Sequence, residues 1–236
     1  MKRVAVVTGA AKGVGAAIAK RLVTADLAVV IHYHTSEADA KKTLAQLRRV
    51  NPDCAMLPAN LRETKQAEQL INLVMERYGR IDLLINNVGN FIYKPLARTS
   101  IEDWNDVIET NLTATFSLCQ AVLPQMRQQK YGRIVNVGQV DAARMVIRPK
   151  TTPYAIAKTG VVMLTKQLAF DNAKFGIRVN AISPGIVETS VVKLKTPTGT
   201  LVPVEDIANA VAYLVADEST QVNGANLEVA NGFTFE

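Results

Sequence analysis

The chain alternates short, almost wholly apolar runs with longer stretches in which apolar residues recur every three or four positions. The short runs are Val4–Thr8, Ala28–Tyr33, Ala55–Pro58, Leu83–Asn87, Ile134–Val137, Val179–Ile182 and Leu227–Val229. Most are continuously apolar, without the alternation of a strand that has one wet face. That is the pattern of parallel strands covered on both sides. The stretches between them fit helices. The resulting βαβ rhythm predicts an α/β fold: a doubly wound, mostly parallel seven-stranded sheet with helices on both faces.

Some helix ends are legible as well. Ser100 and Asp103 form a capping-box-like pair opening the longest helical stretch, in which Trp104, Val107, Ile108, Leu112 and Leu118 follow at mostly helical spacing. A basic last turn and an aromatic precede a glycine in Arg77-Tyr78-Gly79, Lys130-Tyr131-Gly132 and Lys174-Phe175-Gly176. Each glycine is predicted to take the left-handed C′ position before the next strand. No linker, low-complexity segment or long repeat intervenes, so residues 1–236 are expected to form a single domain.

Composition narrows the function classes. Of the 236 residues, 48% are hydrophobic, ample for a buried core. No apolar run approaches the ~18 residues that a membrane span needs. Met1-Lys2-Arg3-Val4 enters a strand at once and has no features of a secretion signal, so a cytoplasmic location without a membrane partner is expected. The net charge is +6, but Lys and Arg are scattered, which does not indicate nucleic acid. Cys54 and Cys119 form no CxxC pair, so no metal site is expected and both read as buried free thiols.

The first strand runs into Thr8-Gly9-Ala10-Ala11-Lys12-Gly13-Val14-Gly15, and a helix follows. Gly9 permits a sharp turn. Gly13 and Gly15 permit close approach to a pyrophosphate, which the N–H groups of the helix N-terminus would bind. This strand–turn–helix context identifies a dinucleotide site of Rossmann type. An NAD-selective site needs a carboxylate at the end of the second strand for the ribose 2′-hydroxyl. Here that strand ends His32-Tyr33-His34-Thr35-Ser36, and the first carboxylate is Glu37. A 2′-phosphate would instead meet His34, Thr35, Ser36 and Lys12, so the predicted cofactor is NADP(H).

Tyr154 and Lys158 are four apart, after Pro153 in a predicted first helical turn, and so share a helical face. A free phenol has a pKa near ~10. An ammonium beside it is expected to lower that value, so that Tyr154 can pass a proton to an oxygen or nitrogen gaining charge.

Together these motifs resemble the short-chain dehydrogenase/reductase family from Val4 to Gly232. The resemblance rests on Thr8-Gly9-x-x-x-Gly13-x-Gly15, Asn86-Asn87-Val88-Gly89, Asn111 in Glu109-Thr110-Asn111-Leu112, Tyr154-x-x-x-Lys158 and Ser183-Pro184-Gly185-Ile186-Val187-x-Thr189, in the family's order. It implies that Asn60-Leu61 contacts adenine, with Asn60 in place of the usual Asp. It also implies that Asn87, Val88 and Gly89 line the cofactor, and that Pro184, Gly185, Val187 and Thr189 border the nicotinamide. By the same resemblance Lys158 holds the ribose, Asn111 supports a proton relay, and the protein assembles as a homotetramer or homodimer.

One family residue is missing. The serine that polarises the substrate is replaced by Gln139 when counted from the strand, or by Asp141 when counted back from Tyr154. If the strand stays extended, both side chains share a face. Gln139 is preferred, because a strand end is placed more rigidly than a loop. Asp141 is the residue pteridine reductases of the family carry, and the chain also has likeness to 3-oxoacyl-carrier-protein reductases. The segment Ser190–Thr200 is expected to form a short lid with two lysines, Lys193 and Lys195. The expected function is hydride transfer to or from a small-molecule carbonyl, or an imine. The alternative is a cofactor-binding sensor or scaffold with little turnover.

Overall fold

The computed structural model describes residues 2–192 and 195–234. Its first half runs β1 (Arg3–Val7), α1 (Gly13–Leu22), β2 (Leu27–Tyr33), α2 (Glu37–Arg48), β3 (Ala55–Pro58) and α3 (Thr64–Tyr78). The second half runs β4 (Leu83–Asn86), α4 (Ile101–Ile108), α5 (Ala114–Gln129), β5 (Gly132–Val137), α6 (Thr152–Asn172), β6 (Ile177–Pro184), α7 (Val204–Val215) and β7 (Asn226–Val229). Every predicted strand forms, with ends displaced by no more than a residue or two.

All strand pairs are parallel, in the order β3-β2-β1-β4-β5-β6-β7. Continuous burial of β2 and β4 explains why their sequences do not alternate. Within β1, Ala5 and Val7 point to one face and pack with Ile18, Leu22, Leu44 and Val211 of α1, α2 and α7. Val4 and Val6 point to the other and pack with Leu70, Leu118, Val122 and Leu168 of α3, α5 and α6. The two-residue period thus feeds two cores, and each large aliphatic side chain so buried contributes about 1.5–3 kcal/mol.

Ser100 and Asp103 make the complete reciprocal capping box. The long stretch that follows is continuous, but α4 and α5 are joined by a π-helical turn, Glu109–Thr113, which carries Asn111. Gly79 and Gly176 take the predicted left-handed positions. Gly132 does not: Lys130, at φ 54°, makes that turn, and Gly132 opens β5. A Cβ on Gly132 would lie 2.3 Å from the Met126 sulfur, so packing excludes a side chain there. Among the described residues no helix is long and apolar enough to cross a membrane, and no cluster of His, Cys, Asp and Glu could hold a metal. Cys54 and Cys119 are buried free thiols.

Candidate active site

From β1 the chain winds outward through β2 and β3, then returns to the other side of β1 as β4. The segments leaving the C-terminal ends of β1 and β4 therefore diverge and open a crevice. Thr8, at the end of β1, ties its two rims together. Its hydroxyl donates to the Ile85 carbonyl (3.3 Å) and accepts from the N–H groups of Asn87 (2.9 Å) and Val88 (3.1 Å). The Asn87 amide donates back to the carbonyls of Thr8 (3.0 Å) and Gly9 (3.2 Å).

The glycine turn is packed to contact. A Cβ on Gly15 would lie 2.4 Å from the Gly9 carbonyl oxygen and 2.7 Å from the Asn87 amide nitrogen, while Gly9 sits at φ 61° against Val88. The opening turn of α1 has no side-chain cap and no acidic residue. Its N–H groups and dipole are thus arranged for an anion. Opposite, the Thr189 hydroxyl lies 4.0 Å from where a Gly13 Cβ would be. This cradle, which a side chain at position 15 would obstruct, fits a pyrophosphate.

Where the adenosine is expected, His34 and Thr35 are exposed and the Ser36 side chain caps no N–H of α2. The Lys12 ammonium reaches the same region and lies 3.7 Å from Asp39, whose other oxygen is 3.9 Å from Lys42. Asp39, a carboxylate that the sequence reading left out, thus lies between two lysines. Asn60 is engaged locally: its oxygen accepts from the Arg62 N–H (3.3 Å) and its amide donates to Glu63 (3.0 Å). Leu61 is buried.

His32 is a site residue the sequence reading did not single out. Its Nδ1 accepts from the Gly9 N–H (3.1 Å), so the proton sits on Nε2, which donates to the Ala59 carbonyl (3.0 Å). The ring thereby clamps the glycine turn to the end of β3. Burial lowers its pKa from the usual 6.5 to about 4. Because the folded value is the lower one, His32 contributes stability that is full above pH 6.5 and is lost as pH falls towards 4. The shift corresponds to about 3 kcal/mol. Urea unfolding of the wild type and of His32→Leu should therefore converge by that amount between neutral and acid pH. Parallel stability curves would contradict the clamp.

The reacting end lies in a cavity of about 350 Å³, lined among others by Val14, Asn87, Gly89, Pro184, Gly185, Val187 and Thr189 on one side and Phe91, Gln139 and Tyr154 on the other. Tyr154 is half-buried, and Phe91 meets its ring edge-on at 5.2 Å between centroids. Lys158 is 2% exposed and donates to the Val137 carbonyl at 2.7 Å. Asn111 stands beside it: a Cβ on Gly89 would lie 2.2 Å from the Asn111 side-chain oxygen and 3.4 Å from the Lys158 nitrogen. The Asn111 amide donates to the carbonyls of Asn90 (2.8 Å) and Val107 (2.9 Å). Its oxygen is buried with no protein partner, an acceptor suited to a water or a sugar hydroxyl. Of the four residues expected to react, Tyr154, Lys158 and Gln139 line this cavity, and Asn111 lies buried behind Gly89.

The electrostatics differ from the sequence expectation. Burial raises the Tyr154 phenol to about 12 and lowers the Lys158 ammonium to about 7. The Lys158 nitrogen is 5.4 Å from the centre of the tyrosine ring and turns to a carbonyl, so desolvation outweighs the expected attraction. The cation that does oppose the burial of the phenol is Arg148.

The extended geometry assumed for Gln139 and Asp141 also fails. Strand β5 ends at Val137, and Asp141 adopts φ 60°. Gln139 lines the cavity, its amide oxygen buried with no protein partner. Asp141 turns away: it is 1% exposed, 3.4 Å from the Arg144 guanidinium, and its N–H donates to Glu228 at 2.9 Å. Of the predicted lid, Lys193 lies outside the described residues, while Val191 and Val192 form the cavity rim.

The sequence fits the family model of the short chain dehydrogenases over residues 3–199. It is 34% identical to 3beta-hydroxysteroid dehydrogenase 1 of Eggerthella lenta, over 97% of this chain and 92% of that protein. It is 35% identical to the 3-oxoacyl-acyl-carrier-protein reductase of Escherichia coli K12, over 98% of this chain and 96% of that one. Among solved structures, gox2181 superposes with a TM-score of 0.90 at 29% identity, over 98% and 95% of the two chains. A protein of Sinorhizobium meliloti 1021, provisionally described as a short-chain alcohol dehydrogenase, gives 0.89 at 26% identity, over 98% and 96%.

Proposed function

Because the chain belongs to the short-chain dehydrogenase family of oxidoreductases, we propose that it reduces an uncharged ketone with an apolar body, using NADPH, with Tyr154 as the proton donor. When bound, the dihydronicotinamide supplies the hydride. The observation that carries this reading is that the Tyr154 phenol and the anion-ready glycine turn open onto one cleft. With its pKa near 12, the phenol keeps its proton at neutral pH and is ready to give it to an oxygen gaining negative charge. Lys158 and Asn111 hold polar atoms behind Gly89, where a ribose hydroxyl or a relay water finds a donor and an acceptor. The Gln139 amide takes the place of the missing serine: the residue lines the cleft, its oxygen is buried, and its N–H is the donor that orients the carbonyl.

Cofactor preference rests on charge. Lys12 and Lys42 flank Asp39, and Thr35 and Ser36 add hydroxyls, a setting that suits a 2′-phosphate better than a bare ribose. The substrate class rests on the walls. Phe91, Tyr93, Val191 and Val192 are apolar or aromatic, and Lys158 is the one charged side chain among the described lining residues. With Asp141 turned from the cleft, the ketone reading outweighs the imine.

The test is NADPH and NADH oxidation against alicyclic ketones, 3-oxoacyl thioesters, quinones and dihydropterins. Turnover is expected with NADPH on apolar ketones. Gln139→Ala is expected to lower kcat by about 10²-fold, as loss of an oxyanion-type donor does, while Asp141→Ala leaves kcat nearly unchanged. A larger loss in Asp141→Ala would reverse the assignment. Tight NADPH binding without turnover on any compound would favour a cofactor-binding sensor instead.

A further inference from the structure

We propose that Arg148 is a positioning residue for the reaction, its buried guanidinium holding the loop that carries Gln139 while its own carbonyl holds the first turn of the helix that carries Tyr154. This rests on the reading of Tyr154 as the proton donor. Arg148 is 5% exposed, unusual for a residue whose charge is costly to desolvate. Its guanidinium donates to the Val140 carbonyl, one residue beyond Gln139. Its own carbonyl accepts from the Thr151 N–H (3.2 Å) and the Thr152 hydroxyl (2.9 Å), the residues that open α6. One residue therefore grips both the substrate-side loop and the start of the tyrosine helix.

The charges around it complete the clamp. Asp141 in the loop and Glu228 on β7 both attract the guanidinium, and the Asp141 N–H donates to Glu228. Arg148 thus stands between two carboxylates and the phenol. The charged groups that face Tyr154 are Lys158 on its own helix, whose nitrogen turns to the Val137 carbonyl, and Arg148 from the loop. Of the two it is Arg148 that favours the phenolate, because its cation opposes the desolvation of the ring oxygen. An arginine here does more than an apolar side chain of equal volume would. It fixes the distance between the orienting amide and the proton donor, and it eases the loss of the proton once the substrate oxygen gains charge.

The test compares Arg148→Met, which removes charge and fork, with Arg148→Lys, which keeps the charge. In Arg148→Met, kcat falls at least about tenfold with KM for NADPH nearly unchanged. In Arg148→Lys kcat recovers in part, again with KM for NADPH unchanged. In the NADPH-bound protein, hydrogen exchange at residues 139–142 and at Thr151 speeds up about tenfold in Arg148→Met and less in Arg148→Lys. Equal losses of kcat in both variants, or a rise in KM for NADPH that matches the fall in kcat, as a merely structural arginine gives, overturn the proposal; so does wild-type kcat in Arg148→Met. Should Arg148→Met fail to fold, Arg148→Lys decides: a reduced kcat with KM for NADPH unchanged and faster exchange at residues 139–142 supports the clamp, and a wild-type kcat or wild-type exchange overturns it. If the wild type turns over no ketone, the proposed function fails, while the exchange comparison still judges the clamp.

Discussion

Tyr154→Phe lowers kcat by about 10²–10⁴-fold, the range supplied by a positioned general acid, and leaves NADPH affinity almost unchanged. The substitution removes one oxygen. The phenyl ring keeps its edge-on contact with Phe91 and its place on α6 above Lys158. Cofactor affinity survives because the glycine turn, Asn87 and Lys158 are untouched. The measurement is single-turnover NADPH oxidation beside a fluorescence titration of NADPH. A fall in affinity that matches the fall in rate would mean that the phenol holds the cofactor rather than serving the chemistry.

Gly15→Ala removes NADPH binding, with a loss of about 10²-fold or more in affinity, and destabilises the fold by about 1–3 kcal/mol, as overpacking against backbone does. The added methyl would stand 2.4 Å from the Gly9 carbonyl oxygen and 2.9 Å from the Ala10 Cα, neither of which is the end of a flexible chain. The turn must therefore shift. It takes with it the Gly9 N–H that His32 accepts and the Gly9 carbonyl to which Asn87 donates. Calorimetric titration with NADPH and urea unfolding check the two halves of this prediction. Unchanged NADPH affinity would mean that the pyrophosphate lies elsewhere.

Much of this molecule is written in local patterns. The inner strands are legible because they are buried on both faces, so their hydrophobicity is continuous, while the edge strands β3 and β7 are only partly buried. The glycine turn was legible because backbone approach demands glycine at fixed positions. The capping box was legible because Ser100 and Asp103 bond each other across three residues, although Asp103 also meets the distant Lys94. What was not legible depends on distant partners. Gly132 is held bare by the Met126 side chain on α5, while Lys130 makes the left-handed turn. The depth of the cleft, which no spacing encodes, decides that burial outweighs the lysine's pull on the phenol. The left-handed Asp141 breaks the alternation that placed it beside Gln139. His32 and Arg148 act through partners such as Ala59 and Glu228, which lie far along the chain. The polar type of a residue shows in the sequence, but the carbonyl or carboxylate it meets does not.

A crystal structure of the protein with NADP⁺ bound tests the central claim most directly. The account predicts the pyrophosphate on the N–H groups that open α1, and the nicotinamide in the cleft with the Tyr154 hydroxyl and the Gln139 amide on the same side of the ring. A nicotinamide outside the cleft, or a Tyr154 hydroxyl rotated into apolar side chains away from it, would contradict the account.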